Sequence, residues 1–151
     1  MEQKKQLSQE DILNTLFAAA EETPEMEISI PRLNNLTFTL KALRDGEIER
    51  VQKRHMKVVN ARTNEKELDK DAYYRALIVA ATVAIGGNPA IKWNHEQLLA
   101  RWNAADAENV VKRVFLAGEI VMIVDKILKL SGHYDTAEEL NNLGEDSPNV
   151  D

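Results

Sequence analysis

Two short runs of alternating side chains, residues 26–30 and 36–40, constrain the fold more than any other feature of the chain. In each run apolar residues alternate with Glu, Ser or Thr, which is the period of a half-buried β-strand. The Asn34-Asn35 pair between the runs tolerates the positive φ angles of a tight turn, so the pattern predicts a β-hairpin. Pro31 indicates that the first strand lies at a sheet edge or ends there. Because a two-stranded hairpin is not stable alone, helices must cover its apolar face.

Most of the chain after the hairpin has helical spacing. We predict helices over residues 45–59, 95–102 and 106–130, with an exposed, mobile loop at residues 60–70. A further helix is capped by Asp69 or Asp71 and runs to residue 85. Residues 76–85 are apolar on nearly all sides, which predicts the central helix of the core, ended by Gly86-Gly87. Gly118 falls inside the last predicted helix and indicates a bend or a close packing contact there. The predicted fold class is α+β: a mainly α-helical single domain with one N-terminal antiparallel β-hairpin packed on a helical bundle.

Both ends of the chain are expected to be flexible and to lie outside this domain. Ser8 followed by Asp11 resembles a capping box that starts a short amphipathic helix, and an acidic stretch ending near Pro24 reads as a linker. After residue 133 the chain is acidic and rich in Asn, which predicts a disordered tail apart from a weak helix at residues 137–140. The expected division is therefore helix and linker over 1–25, a folded domain over 26–133 and an acidic tail over 134–151.

Charge and composition exclude several partners. The net charge of −6 arises in the tail, so the remainder is balanced and lacks the clustered basic surface expected of a nucleic-acid binder. The chain has no cysteine, which removes disulfides and thiolate chemistry. Residues 1–6 lack the apolar core of a signal peptide, and no apolar run in the sequence is long enough for a membrane span. We expect a protein that stays in the cell that makes it, without nucleic-acid or membrane partners.

The candidates for catalysis or metal binding all have plainer structural explanations. None of the three histidines, His55, His95 and His133, has a second histidine one helical turn away, as a typical metal pair would. The serines lie in termini, in a strand or beside a helix cap, and the glycine pair follows a helix where a phosphate loop would follow a strand. We therefore predict no catalytic residue, no metal site, no cofactor and no enzymatic activity.

The leading helix is the part of the sequence that most needs a partner. Its apolar side lies outside the hairpin-plus-helices unit, so it either folds back onto the core or occupies a groove of a neighbouring subunit or partner. Tryptophans are common both as core anchors and in binding hot spots, and we assign Trp102 to the core and a half-exposed Trp93 to a partner contact. The predicted partner-binding residues are Leu13, Leu16, Phe17 and Trp93.

Several stretches between residues 12 and 133 resemble the XkdN-like tail assembly chaperones of long-tailed phages and prophages of Gram-positive bacteria. They include Ile28-Ser-Ile-Pro-Arg-Leu33, Phe38-Thr-Leu-Lys-Ala-Leu43, Ala104-Ala-Asp-Ala-Glu-Asn-Val-Val-Lys-Arg113 and Ile127-Leu-Lys-Leu-Ser-Gly132. The resemblance implies a protein that binds the tape measure protein and keeps its apolar helices soluble, with the tail tube protein as a second partner. It also implies a location in the cytoplasm of the bacterial host and absence from the mature virion.

Two other functions stay open at this point. The chain could be a structural or scaffolding component of the tail, or a small helical regulatory adaptor. A structural component would be found stoichiometrically in mature tails, whereas a chaperone leaves. Self-association into a homo-oligomer is compatible with each of these functions.

Overall fold

A computed structural model describes residues 6–133 and shows an α+β fold with six α-helices, a three-stranded antiparallel sheet and a separate two-stranded hairpin in that range. The elements in chain order are α1 Gln9–Glu21, β1 Glu25–Ile30, a 3-10 turn Pro31–Leu33, β2 Leu36–Lys41, α2 Asp45–Arg54, β3 Met56–Asn60, β4 Glu65–Leu68, α3 Lys70–Ala81, β5 Thr82–Ile85, α4 Glu96–Trp102, α5 Ala107–Val114 and α6 Ala117–Leu130. The predicted tail and its weak helix lie outside the described residues.

The predicted N-terminal hairpin is confirmed. Strands β1 and β2 pair antiparallel with Ile28 opposite Phe38. The turn residues Asn34 and Asn35 both adopt φ of 59°. β1 is an edge strand and ends immediately before Pro31, as the proline indicates.

A third strand, β5, pairs with the other side of β2, and this corrects the prediction of a helix that runs to residue 85. Helix α3 ends at Ala81, and the next four residues pair antiparallel with β2. Three of those four residues are β-branched, which favours a strand once an unpaired strand edge is available. Gly86 and Gly87, with φ of 63° and 75°, therefore end a strand where the sequence predicted the end of a helix.

A second hairpin, β3–β4, replaces the end of the predicted 45–59 helix and the predicted mobile loop at 60–70. Helix α2 ends at Arg54, and β3 and β4 pair antiparallel. The side-chain Oδ1 of Asn60 accepts the backbone N–H groups of Arg62 and Thr63, at 3.0 and 3.3 Å, and Asn64 adopts φ of 58°. All five β3 residues are exposed, so no buried face leaves an apolar period in the sequence.

The predicted helix over residues 106–130 is two helices, α5 and α6, separated at Phe115 and Leu116. Asp106 caps α5 as predicted, accepting the N–H of Asn109 at 3.0 Å. Phe115 turns inward, where it is 5% exposed, and Glu119 accepts the N–H of Leu116 at 2.8 Å at the start of α6. Gly118 thus lies in the first turn of α6, and the expected bend within one long helix is wrong.

Helix α3 is the central helix of the core, as its apolar sequence predicts. Its buried residues Ala76, Leu77 and Ile78 are at most 1% exposed, and it packs against α2, α5 and α6. The sheet contributes Ile30, Phe38 and Leu40 to the same core. At the far end of α6, the Ser131 hydroxyl accepts the N–H of Leu43 at 2.8 Å and joins the helix to the chain leaving β2. This core is built from elements that follow α1.

Candidate partner-binding surface

Helix α1 forms as predicted but buries none of its residues. Ser8 Oγ accepts the N–H of Asp11 at 3.1 Å, which confirms the N-terminal cap. The sequence leaves two arrangements open for α1, which could pack on its own core or occupy a groove of a neighbouring subunit or partner. The structure does not show α1 packed into its own core. An isolated helix of this length is marginally stable in water, so contacts elsewhere must help to hold it.

The predicted contact residues of α1 lie together on its exposed surface. Leu13 is 40% exposed, Leu16 59% and Phe17 58%, and Ile12 continues the same face at 44%. Surface leucines occur singly in many proteins, but four large apolar side chains on adjacent turns of one helix make a patch that favours a binding surface. We call these four residues the α1 face.

Arg44 connects α1 to the rest of the chain. Its Nη2 donates to the carbonyl oxygens of Ala19 at 2.9 Å, Glu22 at 2.8 Å and Ala20 at 3.4 Å. These carbonyls lie at the C-terminal end of α1, where helix carbonyls lack intrahelical partners and a positive charge is stabilising. The last turn of α1 has no basic residue of its own, so Arg44 supplies that charge from the start of α2.

Trp93, the fourth predicted contact residue, is not on the surface. It is 2% exposed, so the expected half-exposed position is wrong. Its Nε1 donates to Thr82 Oγ1 at 2.9 Å, and its ring stacks on Phe38 and meets Phe115 edge-on, with centroid distances of 5.7 and 5.2 Å. Trp93 is thus a core anchor. Trp102, the predicted anchor, is only partly buried against the core.

A groove between the N-terminal ends of α3 and α6 was not predicted from the sequence. It encloses about 420 Å³ and is lined by Lys70, Asp71, Tyr74, Arg75, Lys112, Phe115, Ala117, Ile120 and Val121. Beside it Leu116 and Met122 are exposed. We call it the α3/α6 groove. Its lining residues come from both sides of the break between α5 and α6, so the single long helix predicted from the sequence gives no indication of it.

An ion pair fixes that break against the sheet. The guanidinium of Arg32, in the turn between β1 and β2, donates to both carboxylate oxygens of Glu119 at 2.9 and 2.7 Å and to the carbonyl of Val114 at 2.8 Å. The Arg32 hydrogen bonds, with help from the Leu116 N–H, lower the pKa of Glu119 from 4.5 to about 2. The carboxylate therefore stays charged, and it anchors the first turn of α6 beside the α3/α6 groove.

Residues 6–133 contain neither a metal-binding cluster nor a membrane-spanning helix. No group of three or more His, Cys, Asp or Glu side chains is placed there to hold a metal ion. None of the helices in that range has the length and apolarity needed to cross a membrane.

The described residues thus form an α+β core and an amphipathic helix, α1, which buries none of its residues and is held at one end by Arg44. The chain belongs to the phage XkdN-like tail assembly chaperone family, whose model matches residues 12–143. The resemblance predicted from the sequence is thereby confirmed.

The fold is also similar to the crystal structure of the protein YqbN. The TM-score is 0.53 with 21% sequence identity, over 74% of this chain and 87% of that one. At this identity the likeness shows the fold alone. No curated protein matches the chain.

Proposed function

We propose that this chain acts in tail assembly by binding the tape measure protein and keeping its apolar helical segments soluble, without enzymatic activity or a cofactor. The observation that supports the proposal is the α1 face, which is exposed on a helix that the core does not need and that Arg44 holds at one end. A helix presented in this way can lie in an apolar groove or against a client helix, which is a common mode of peptide recognition.

The size of the α1 face suits a reversible interaction. Fully burying a Leu or Phe side chain contributes about 1.5–3 kcal/mol, and the side chains of the α1 face have about half of that surface left to bury. Four such residues give about 3–6 kcal/mol before the cost of association is subtracted. The net contact is therefore weak for one site. A long client with many apolar helices can engage several copies, each of which is released as the tail tube assembles.

Co-expression with the tape measure protein of the same phage tests the proposal. We expect the full chain to keep the client soluble and to co-purify with it, and the double variant Leu16→Glu/Phe17→Glu to lose both effects. The matched control is Asn14→Glu/Ala18→Glu, which adds the same charge to the opposite side of α1. Client solubility and recovery that are the same with and without the chain would refute the proposal.

A deletion of residues 1–22 separates binding from folding. Because no residue of α1 is buried, the shortened chain should keep a cooperative thermal transition while losing the client. Loss of that transition would show that α1 is part of the folding unit and would contradict the assignment of the α1 face to a partner.

The proposal also states where the chain acts and at which stage of tail assembly. The chain would act in the cytoplasm of the bacterial host, with the tail tube protein as its second partner, and would be absent from the mature virion. Quantitative mass spectrometry of purified tails measures this directly. Stoichiometric recovery of the chain would favour a structural tail component.

A further inference from the structure

We infer that the α3/α6 groove receives helix α1 of a second copy of this chain. The inference extends the proposed function, because the same α1 face would be covered by a neighbouring copy until a client takes its place. It is tested with the chain alone, so it can fail while client binding stands.

The α3/α6 groove combines an apolar floor with a basic rim. Tyr74, Phe115, Ile120 and Val121 supply apolar surface, whereas Lys70, Arg75 and Lys112 outnumber the single acidic lining residue, Asp71. The groove therefore fits an apolar helix that carries carboxylates.

Helix α1 has that chemistry. Its apolar face is bordered by Glu10 and Glu21, and the sequence from residue 6 to residue 30 contains no Lys or Arg. Opposite charges around an apolar contact favour one orientation of the docked helix and disfavour partners of the wrong charge. The α1 face would meet the floor of the groove while the two glutamates approach its basic rim.

The attachment of α1 favours a second copy over the chain's own groove. Glu25, the first residue of β1, pairs with Lys41 near the Ser131 end of α6, whereas the groove lies at the opposite end of that helix. The two ends of α6 are about 20 Å apart at 1.5 Å per residue. Arg44 holds the last carbonyls of α1 close to the point where α1 joins β1, and the α1 face remains exposed. A neighbouring molecule can meet that face without breaking these hydrogen bonds.

Each contact joins two different surfaces, α1 of one copy and the α3/α6 groove of the other. When two copies exchange their helices reciprocally, the two contacts are equivalent and the assembly closes as a dimer. The exchange would cover both α1 faces in the absence of client. A client helix would compete for α1, so client binding and self-association should oppose each other.

A charge exchange on the full-length chain tests the inference by light scattering and sedimentation from micromolar to millimolar protein. We expect the unmodified chain to associate. Glu10→Lys/Glu21→Lys puts basic residues on α1, and Lys70→Glu/Lys112→Glu puts acidic residues on the groove rim. Each variant alone should dissociate at least about tenfold more readily, because like charges then face each other. An equimolar mixture of the two variants should restore association, since every α1 then finds a groove of opposite charge.

The matched control is Glu65→Lys/Glu67→Lys, which makes the same charge change on the exposed strand β4. It should associate like the unmodified chain, and the thermal transition of every variant confirms that it is folded. A chain that is monomeric at all concentrations would overturn the inference, whether because α1 occupies its own groove or because the groove serves only the client. Association that is the same in all variants would overturn it as well. A monomeric chain that still solubilises the tape measure protein would leave the proposed function intact.

Discussion

Replacing Arg44 with methionine tests how α1 is held. Methionine keeps an unbranched apolar stem and removes the donor that serves the carbonyls of Ala19 and Glu22 at 2.9 and 2.8 Å, together with the longer contact to Ala20. An exposed hydrogen bond of this kind contributes roughly 0.5–1.5 kcal/mol net. Two good bonds therefore stabilise the docked end of α1 by about 1–3 kcal/mol. Since 1.4 kcal/mol is about a factor of ten, Arg44→Met should open that end on the order of tenfold more often.

Hydrogen exchange measures the opening directly. The N–H of Glu22, which donates to Ala18 at 2.8 Å in the last turn of α1, should exchange about tenfold faster in Arg44→Met. The melting temperature should stay unchanged, since α1 has no buried residue. Arg44→Lys should give an intermediate rate because it keeps the charge without the planar fork. Arg54→Met, which removes an exposed arginine at the end of α2, is the control for charge. Unchanged exchange at Glu22, or a melting temperature lowered by several degrees, would refute this account of the tether.

Three further predictions concern the core and the sheet. Thr82→Val leaves the indole N–H of Trp93 buried without its acceptor and should lower the free energy of unfolding in urea by about 1–3 kcal/mol, more than Thr82→Ser, which keeps the hydroxyl. The folded-state pKa of Glu119 is lowered from 4.5 to about 2, so its contribution to stability is complete above pH 4.5 and is lost as the pH falls toward 2. The urea midpoint of Glu119→Gln should therefore vary less over that interval than that of the unmodified chain. Gly86→Ala and Gly87→Ala should each cost about 1–2 kcal/mol for a left-handed backbone, and Gly86→Ala should lower the melting temperature further because its new Cβ would lie 3.3 Å from a neighbouring side chain.

The first hairpin could be predicted from the sequence because its strands bury one face. Ile28 and Phe38 are buried while their neighbours are exposed or only half-buried, so burial leaves a period of two. The β3–β4 hairpin has no such face. Its turn depends on Asn60 and Asn64, which the sequence pattern indicates only as polar loop residues. A hairpin without a buried face therefore cannot be predicted from apolar periodicity.

Two helix ends were missed because tertiary contacts decide them. Strand β5 begins at Thr82, within a run whose apolar spacing also suits a helix, and the open edge of β2 decides between the two structures. The break at Leu116 contains neither proline nor glycine. It is held by Glu119, whose partner Arg32 lies far away in the sequence. Sequence periodicity reports the local preference of a segment for helix or strand. It cannot reveal an interaction partner that is distant in sequence and is brought near only by the fold.

The exposed α1 face could be predicted from the sequence, and its role in partner binding stays a prediction. The α1 face follows from an amphipathic helix that lies outside the predicted domain. Trp93 was misassigned because its charged and polar neighbours in sequence suggested exposure, although Thr82, the polar residue within an apolar run, was available as its acceptor. The α3/α6 groove could not be predicted at all, since it depends on the break that the sequence conceals.

The attachment of α1 has a consequence for engineering and for divergence. A helix that buries no residue is free of the constraints of core packing, so its sequence can change without loss of the core. Its junction is short, and the acceptors used by Arg44 are backbone carbonyls that any residue provides. A different amphipathic helix grafted before Pro24 would offer the same backbone carbonyls to the guanidinium of Arg44. Under the proposed function, exchanging this one helix would change which partner is bound, without redesign of the domain that carries it.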